Sequence, residues 1–275
     1  MTKYRYKERT STWKLAIYAF SIAAIVTLGT VLVYEGIQSN VTVTGSGNLV
    51  TREPGLSGFS AVQVEGGFRV NVTYSSSYSI NLTADDNVID YVLVEKTDET
   101  IRIGLRSGSY TQVTLRASIA MPTVTGVTLS GGTTGGLSGF SGQNSTTINL
   151  SGGSALGIHQ LSASECTFDL SGGSKVDGAI GDVSDVRFIM TGGSTATLEG
   201  DATNMVINSS AGSTLNLYVL SAHNANVTIS EGGTAKLRLD GLLNANLSDG
   251  SRILYIGHPT MGNIVLSDGS TIGEG

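Results

Sequence analysis

One phrase, written again and again at nearly constant spacing, constrains this chain more than any other feature. TINLSGGSALG (147–157), FDLSGGSKVDG (168–178) and FIMTGGSTATL (188–198) each give a short apolar strand, a hydroxyl and a glycine turn. Aligned on the hydroxyl, the copies fall at Ser130, Ser151, Ser171, Thr191, Ser210, Ser230, Ser248 and Ser267, with successive spacings of 21, 20, 20, 19, 20, 18 and 19 residues. Two positions later every copy has glycine: Gly132, Gly153, Gly173, Gly193, Gly212, Gly232, Gly250 and Gly269. A glycine at each corner predicts a turn with positive φ or close approach of a neighbouring coil.

The residues before the hydroxyl alternate. Leu129, Leu150, Leu170, Met190, Ser209, Ile229, Leu247 and Leu266 immediately precede it, and Val127, Ile148, Phe168, Phe188, Ile207, Val227, Ala245 and Ile264 stand two earlier. Between these columns lie mostly Thr, Asn and Asp, a period-two strand with one face inward. After the turn a second strand places Leu156, Val176, Leu215 and Ile253 in one column, with Ile158, Leu198, Leu217, Leu237 and Tyr255 in the next. A self-similar unit of about 20 residues with two or three short strands is one coil of a β-helix. The leucine-rich alternative lacks its L-x-x-L-x-L framework. Since the few inward side chains of one coil cannot offset the ordering entropy of the whole unit, stability must come from stacking.

The rest of the chain divides into four parts. Residues 1–14 carry five basic residues against Glu8, a net of +4, which leaves −10 for everything after against the total of −6. Residues 15–34 form an uncharged apolar run long enough to cross a bilayer as a helix, with Trp13, Tyr18 and Tyr34 near its ends. The positive-inside rule places 1–14 in the cytoplasm and the remainder outside, anchored in the cell membrane. A cleaved signal peptide is the competing reading; the length of the run and the lack of a small-x-small site favour a retained anchor. Residues 35–44 form a linker. Residues 45–122 alternate without the glycine phrase and read as strands that begin or cap the solenoid, with a hairpin turn at 97–100 and a short helical turn started by Asp85-Asp86-Asn87.

Several functions are disfavoured. An acidic body argues against nucleic acid as a partner. A single cysteine, Cys166, excludes an intrachain disulfide and a cysteine-based zinc site, and its phase with Phe168 and Leu170 makes it a small core residue. A glycan-active enzyme would need long loops walling a groove around an acid/base pair, whereas coil lengths vary only between 18 and 21. His159, His223 and His258 occupy unrelated repeat positions. No catalytic residues, and no cofactor beyond a possible cation, are expected.

Three features remain as candidate sites. The residue after the hydroxyl becomes Glu231, Asp249 and Asp268 in the last copies, a carboxylate ladder that would need Ca²⁺ or a similar cation if the coils stack in register; Asp also simply suits a turn beside glycine. Asn-x-Ser/Thr sequons at Asn40, Asn71, Asn81, Asn144, Asn149, Asn208, Asn226 and Asn246 are acceptors for glycans, though alternation of outward Asn and Thr generates them unaided. The C-terminal end of the solenoid has no obvious capping segment, so association with another copy is expected there.

From Gly45 to about Leu105 the chain resembles the putative auto-transporter adhesin, head GIN domain family. The resemblance rests on Gly45 and Gly47, Arg52 and Glu53, Gly58 and Phe59, the segment AVQVEGGFRVNV, and Ala84, Asp85, Asp86 and Asn87, with the serine-glycine repeats downstream. It implies an all-β, right-handed parallel β-helix on the cell surface and supplies no ligand. The reading is a structural or adhesin-like surface element, with surface glycans or proteins as the expected partners. A membrane-tethered scaffold or sensor is the remaining alternative.

Overall fold

In a computed structural model, residues 42–275 are described; residues 1–41, including the expected anchor at 15–34, the linker up to residue 41 and Asn40, lie outside them. The strands are β1 (Thr42–Thr44), β2 (Leu49–Arg52), β3 (Ala61–Glu65), β4 (Arg69–Tyr74), β5 (Ser79–Asp85), β6 (Val92–Thr97), β7 (Thr100–Leu105), β8 (Ser109–Thr111), β9 (Leu115–Met121), β10 (Gly126–Ser130), β11 (Thr134–Leu150), β12 (Ala155–Leu170), β13 (Lys175–Met190), β14 (Thr195–Ser209), β15 (Thr214–Ile229), β16 (Thr234–Leu239), β17 (Leu242–Leu247), β18 (Arg252–Gly257), β19 (Thr260–Leu266) and β20 (Thr271–Glu274). A single turn of 3₁₀ helix, Ile89–Tyr91, follows the Asp85-Asp86-Asn87 signal. No helix of the described residues is long and apolar enough to cross a membrane.

Residues 44–106 and 110–275 make one unit, an all-β, right-handed solenoid of about seven turns with about 20 residues per turn. Parallel pairing in register stacks the predicted columns: Val127 on Ile148, Ile148 on Phe168 and Phe168 on Phe188. The last two rings stack with centroids 5.2 Å apart. Leu156, Val176, Ala196 and Leu215 form the second column in the same way. All of these are buried to within 1% exposure or less, so the core is a set of apolar columns running along the coil axis.

The expected two or three short strands per coil are replaced, from β11 to β15, by continuous strands of 15–17 residues. The reason is a register shift partway along each, between Phe140 and Gln143 or Ala179 and Asp182 for example. Such bulges bend the strand without ending its ladder. Only from Thr234 onward does each coil split into separate strands, β16 with β17 and β18 with β19.

At the Ser-Gly-Gly-Ser corner both central residues are left-handed. The predicted turn glycines all lie at φ 70–76°, and the residues before them, glycine or not, at φ 51–64°, the signature of a type I′ turn. Each corner also bonds to the next: Gly153 N–H donates to Gly172 O and Gly173 N–H to Gly192 O, at 3.0 and 2.9 Å. The hydroxyl that stabilises the corner is the fourth residue, not the first on which the copies were aligned. Ser154, Ser174 and Ser194 are buried, and each donates its Oγ–H to the carbonyl three residues back, at 2.8, 2.6 and 2.7 Å.

One run of coils departs from this pattern. Ser209 occupies the apolar column, Ser209 Oγ and Ser213 Oγ are buried without a hydrogen-bond partner, and Gly233 replaces the fourth-position hydroxyl of its corner. A Cβ on Gly233 would lie 3.4 Å from Ser209 Oγ, so the three departures sit together.

Strands of the region 45–122 join the ladder of the solenoid, and the region contains a corner that its sequence disguises. Glu65-Gly66-Gly67-Phe68 has the same left-handed pair, φ 89° and 78°, and β3 and β4 on either side pair in parallel with β10 and β11. On their other side β3 and β4 pair in parallel with β7 and β9, and only beyond these does the pairing turn antiparallel. β7 folds back on β6 through the predicted hairpin at 97–100, while β9 pairs with β5 and β5 with β2.

The two hydroxyls of one corner should therefore differ in effect. Ser174→Ala removes a buried hydrogen bond and is expected to cost about 0.5–1.5 kcal/mol, whereas Ser171→Ala in the same corner should be near neutral. Urea titration of both variants checks the contrast.

Candidate functional site

At the bends of β13, β14 and β15, with Asp240 from the turn between β16 and β17, the coils leave a groove of about 300 Å³. Its floor is made of small buried side chains stacked in register, Val183 on Ala202 and Ala202 on Ala222. Its polar lining includes Asp182, Asp201, Thr203, Ser221, His223 and Asp240. Asp182 and Asp201 are register partners, one strand spacing or roughly 4.8 Å apart along the coil axis. His223 Nδ1 and Asp240 Oδ1 meet at 2.8 Å. The groove bears no lysine or arginine, so it presents carboxylates and hydroxyls to whatever it meets.

A side-chain ladder supports one rim. Asn204 Nδ2 donates to Asp185 Oδ1 at 3.0 Å, Asn224 Nδ2 to Asn204 Oδ1 at 3.2 Å, and the Leu242 N–H to Asn224 Oδ1 at 3.0 Å. A Cβ on Gly200 would lie 2.1 Å from Ile180 O, at a φ of 138°. The coils approach closely at this bend, and only glycine is accommodated there.

The predicted carboxylate ladder stacks but does not converge. Gly232 N–H donates to Asp249 O and Gly250 N–H to Asp268 O, both at 2.9 Å, which puts the three acidic residues on adjacent corners. Their side chains are exposed, Asp249 Oδ2 accepts the Ser248 hydroxyl at 2.7 Å, and no group of three metal-ligating side chains occurs among the described residues. Glu231, Asp249 and Asp268 are thus turn residues in left-handed conformation, and the calcium expectation gains no support from them.

Of the described sequons, Asn71, Asn144, Asn208, Asn226 and Asn246 are exposed and Asn81 and Asn149 half-buried. Asn149 Nδ2 donates to Thr128 Oγ1 at 3.3 Å, and Asn226 Oδ1 accepts from Asn244 at 2.8 Å. Cys166 is buried, as its phase predicted; burial above all, with Glu165 beside it, pushes its thiol up to about 12.

Two of the motifs that carried the family resemblance, the Gly-x-Gly opening and Asp85-Asp86-Asn87, assemble into a clasp. Asp85, 1% exposed, accepts the Gly47 N–H on Oδ1 at 2.7 Å and the Thr114 N–H on Oδ2 at 2.6 Å. Asn87 accepts the Ser46 N–H at 3.1 Å and donates to Thr44 O at 2.9 Å, and Asp86 accepts the Ser46 hydroxyl at 2.5 Å. Gly47 has φ 82°, and a Cβ at Gly45 would lie 2.5 Å from Gln112 O. One glycine of the pair supplies backbone freedom and the other supplies space, so the Gly-x-Gly opening is fastened by the Asp-Asp-Asn segment. The N–H donors of Thr114 and Gly47 hold the Asp85 carboxyl below its ordinary value of 3.8.

A family model described as "Putative auto-transporter adhesin, head GIN domain" matches residues 58–259. Among solved structures, a putative adhesin from Parabacteroides merdae aligns with a TM-score of 0.79 at 18% identity, covering 85% of this chain and 99% of that one. A putative adhesin from Parabacteroides distasonis aligns at 0.78 and 16%, covering 86% and 100%. A protein from the same species titled a putative lipid binding protein aligns at 0.76 and 16%, with the same coverage. At such identities the likeness is one of fold. No functionally curated protein matches the sequence.

Two outcomes follow from these geometries. Asp85 contributes stability that is present above its unfolded value of 3.8 and is lost as pH falls through its lower folded value. Asp85→Asn should accordingly melt below the wild type at pH 7, with the gap closing as the wild type is acidified below pH ~4; thermal melts across that range check it. Cys166 should resist alkylation in the folded chain and react fully in urea, which mass spectrometry after iodoacetamide treatment reads directly.

Proposed function

The chain belongs to the putative auto-transporter adhesin, head GIN domain family, and from that premise we propose that it is a membrane-anchored, extracellular β-solenoid serving as a structural or adhesin-like surface element without a catalytic role. The observation that carries the adhesive reading is the groove on the solenoid flank. Because β13, β14 and β15 contribute to it in register and Asp240 adjoins His223, Asp182, Asp201, Thr203, Ser221, His223 and Asp240 present their polar groups as one extended surface. Carboxylates accept, and hydroxyls both donate and accept, the hydrogen bonds that a sugar's hydroxyls offer. A surface glycan is the partner class that this lining suits.

The anchor is argued from sequence. An uncharged run over 15–34 behind a basic segment of net +4 favours an N-terminus in the cytoplasm and the solenoid outside. The exposed sequons stand on the same outer side in this reading and are accessible to modification.

The test uses the full chain in detergent micelles on a broad glycan array. Saturable binding that Asp201→Ala and His223→Ala reduce by tenfold or more, with melting unchanged, is the expected result. Binding that ignores both variants would remove the groove from the reading, and no saturable glycan binding would overturn it. Protease added to intact cells should digest the chain beyond residue 35 while the N-terminal piece stays with alkali-washed membranes.

A further inference from the structure

The cations of the solenoid are unevenly placed. Beyond residue 14 the chain carries a net of −10, yet three basic side chains stand together on the outward faces of β16 and β18. Ala235, Leu237, Leu239 and Ile253 fill the core, so alternation turns Lys236, Arg238 and Arg252 outward. Lys236 and Arg238 are two residues, roughly 6.6 Å, apart along β16. Arg252 lies one strand spacing over, roughly 4.8 Å, as the register partner of Thr234.

One tyrosine holds two of these cations in place. Lys236 Nζ lies 5.8 Å from the centroid of the Tyr218 ring, a cation–π distance, and Arg238 Nε donates to Tyr218 O at 2.9 Å. That bond uses one of the five guanidinium donors and leaves the planar fork formed by the others. Among the described residues none of the three cations makes an ion pair. Glu231 and Asp249 stay on the corners that precede β16 and β18, and Asp240, two residues past Arg238, meets His223 instead. Asn216 is the register partner of Lys236, and with Thr234 it sets an amide and a hydroxyl beside the cations on the same face.

We infer that this face binds an acidic glycan, whose carboxylates pair with Lys236, Arg238 and Arg252 while its hydroxyls meet Asn216 and Thr234. Like charges gathered without a counter-charge repel one another, and an anionic partner turns that repulsion into attraction. Guanidinium and carboxylate match as planar, charge-assisted pairs. Because Tyr218 already positions Lys236 and Arg238, little side-chain freedom remains to be lost on binding. An anionic bilayer is the poorer match, since three cations fall short of the cluster of about four to eight that marks a lipid-binding surface. Nucleic acid is disfavoured by the acidic body around the face. The carboxylates of the groove would repel an acidic sugar, so this is a second surface with a different ligand, and it stands or falls separately from the groove.

Calorimetric titration of the full chain, in uncharged detergent micelles, with a soluble oligogalacturonate and separately with its methyl ester tests it. Saturable binding of the acid alone is expected. Lys236→Gln with Arg252→Gln should weaken it at least tenfold, whereas Asp201→Ala in the groove, or Lys96→Gln with Arg187→Gln at two exposed cations elsewhere, should leave it unchanged. Lys236→Arg with Arg252→Lys keeps both charges and should bind as the wild type does, which separates lost charge from a folding defect. No saturable binding, equal binding of the ester, an undiminished Lys236→Gln and Arg252→Gln double variant, or an equal loss in the Lys96→Gln and Arg187→Gln control would each overturn the inference. Tighter binding of glycerophosphoglycerol, the headgroup of an anionic lipid, than of the oligogalacturonate would overturn it in favour of a membrane surface.

Discussion

Each coil of this protein depends on the next for the partners of its own backbone. A corner with two successive left-handed residues leaves peptide groups pointing along the solenoid axis, and Gly153 N–H to Gly172 O is the bond that satisfies them. The buried hydroxyl at the fourth position then closes the corner from inside, as Ser174 Oγ does on Ser171 O. Because unpaired backbone groups in a core cost as much as the bonds gain, neighbouring corners must align, and the alignment fixes the register of every apolar column. The regular core is a consequence of the corner.

The same constraint explains where function can reside. Corners and inward columns leave little latitude, and coil lengths vary only between 18 and 21 residues. The freedom lies at the bulged bends, where Asp182, Asp201, Ser221 and His223 project and a register shift is tolerated. Across the bend, Gly200 lets adjacent coils approach and the asparagine ladder from Asp185 to Asn224 steadies the rim.

Much of this was legible in the sequence. A strand's period of two is unforgiving, so Leu156 above Val176 and Ile148 above Phe168 could be assigned from spacing alone. Chemistry that changes while backbone geometry does not was harder to read: Glu65 and Phe68 stand where other corners have a hydroxyl and a serine, and only the paired Gly66 and Gly67 betray the turn. Likewise Ser151 and Ser154 look equivalent in the phrase, and burial alone separates them. The groove was invisible because its residues fall in the part of each coil where the repeat length drifts, so Asp201 and His223 share no column number. Asp85 was visible as part of a motif, but its partners Gly47 and Thr114 are 38 and 29 residues away.

The imperfect corner around Ser209, Ser213 and Gly233 has a consequence for how the molecule comes apart. A linear array in which each unit touches only its neighbours loses order first at its weakest junction. Two buried hydroxyls without partners, each a penalty of about 1–3 kcal/mol, weaken this junction relative to those built from Ser174 or Ser194. The coils before it and the coils after it are then two cooperative blocks joined by a soft seam, and strain applied along the axis is relieved there while the columns on either side stay intact.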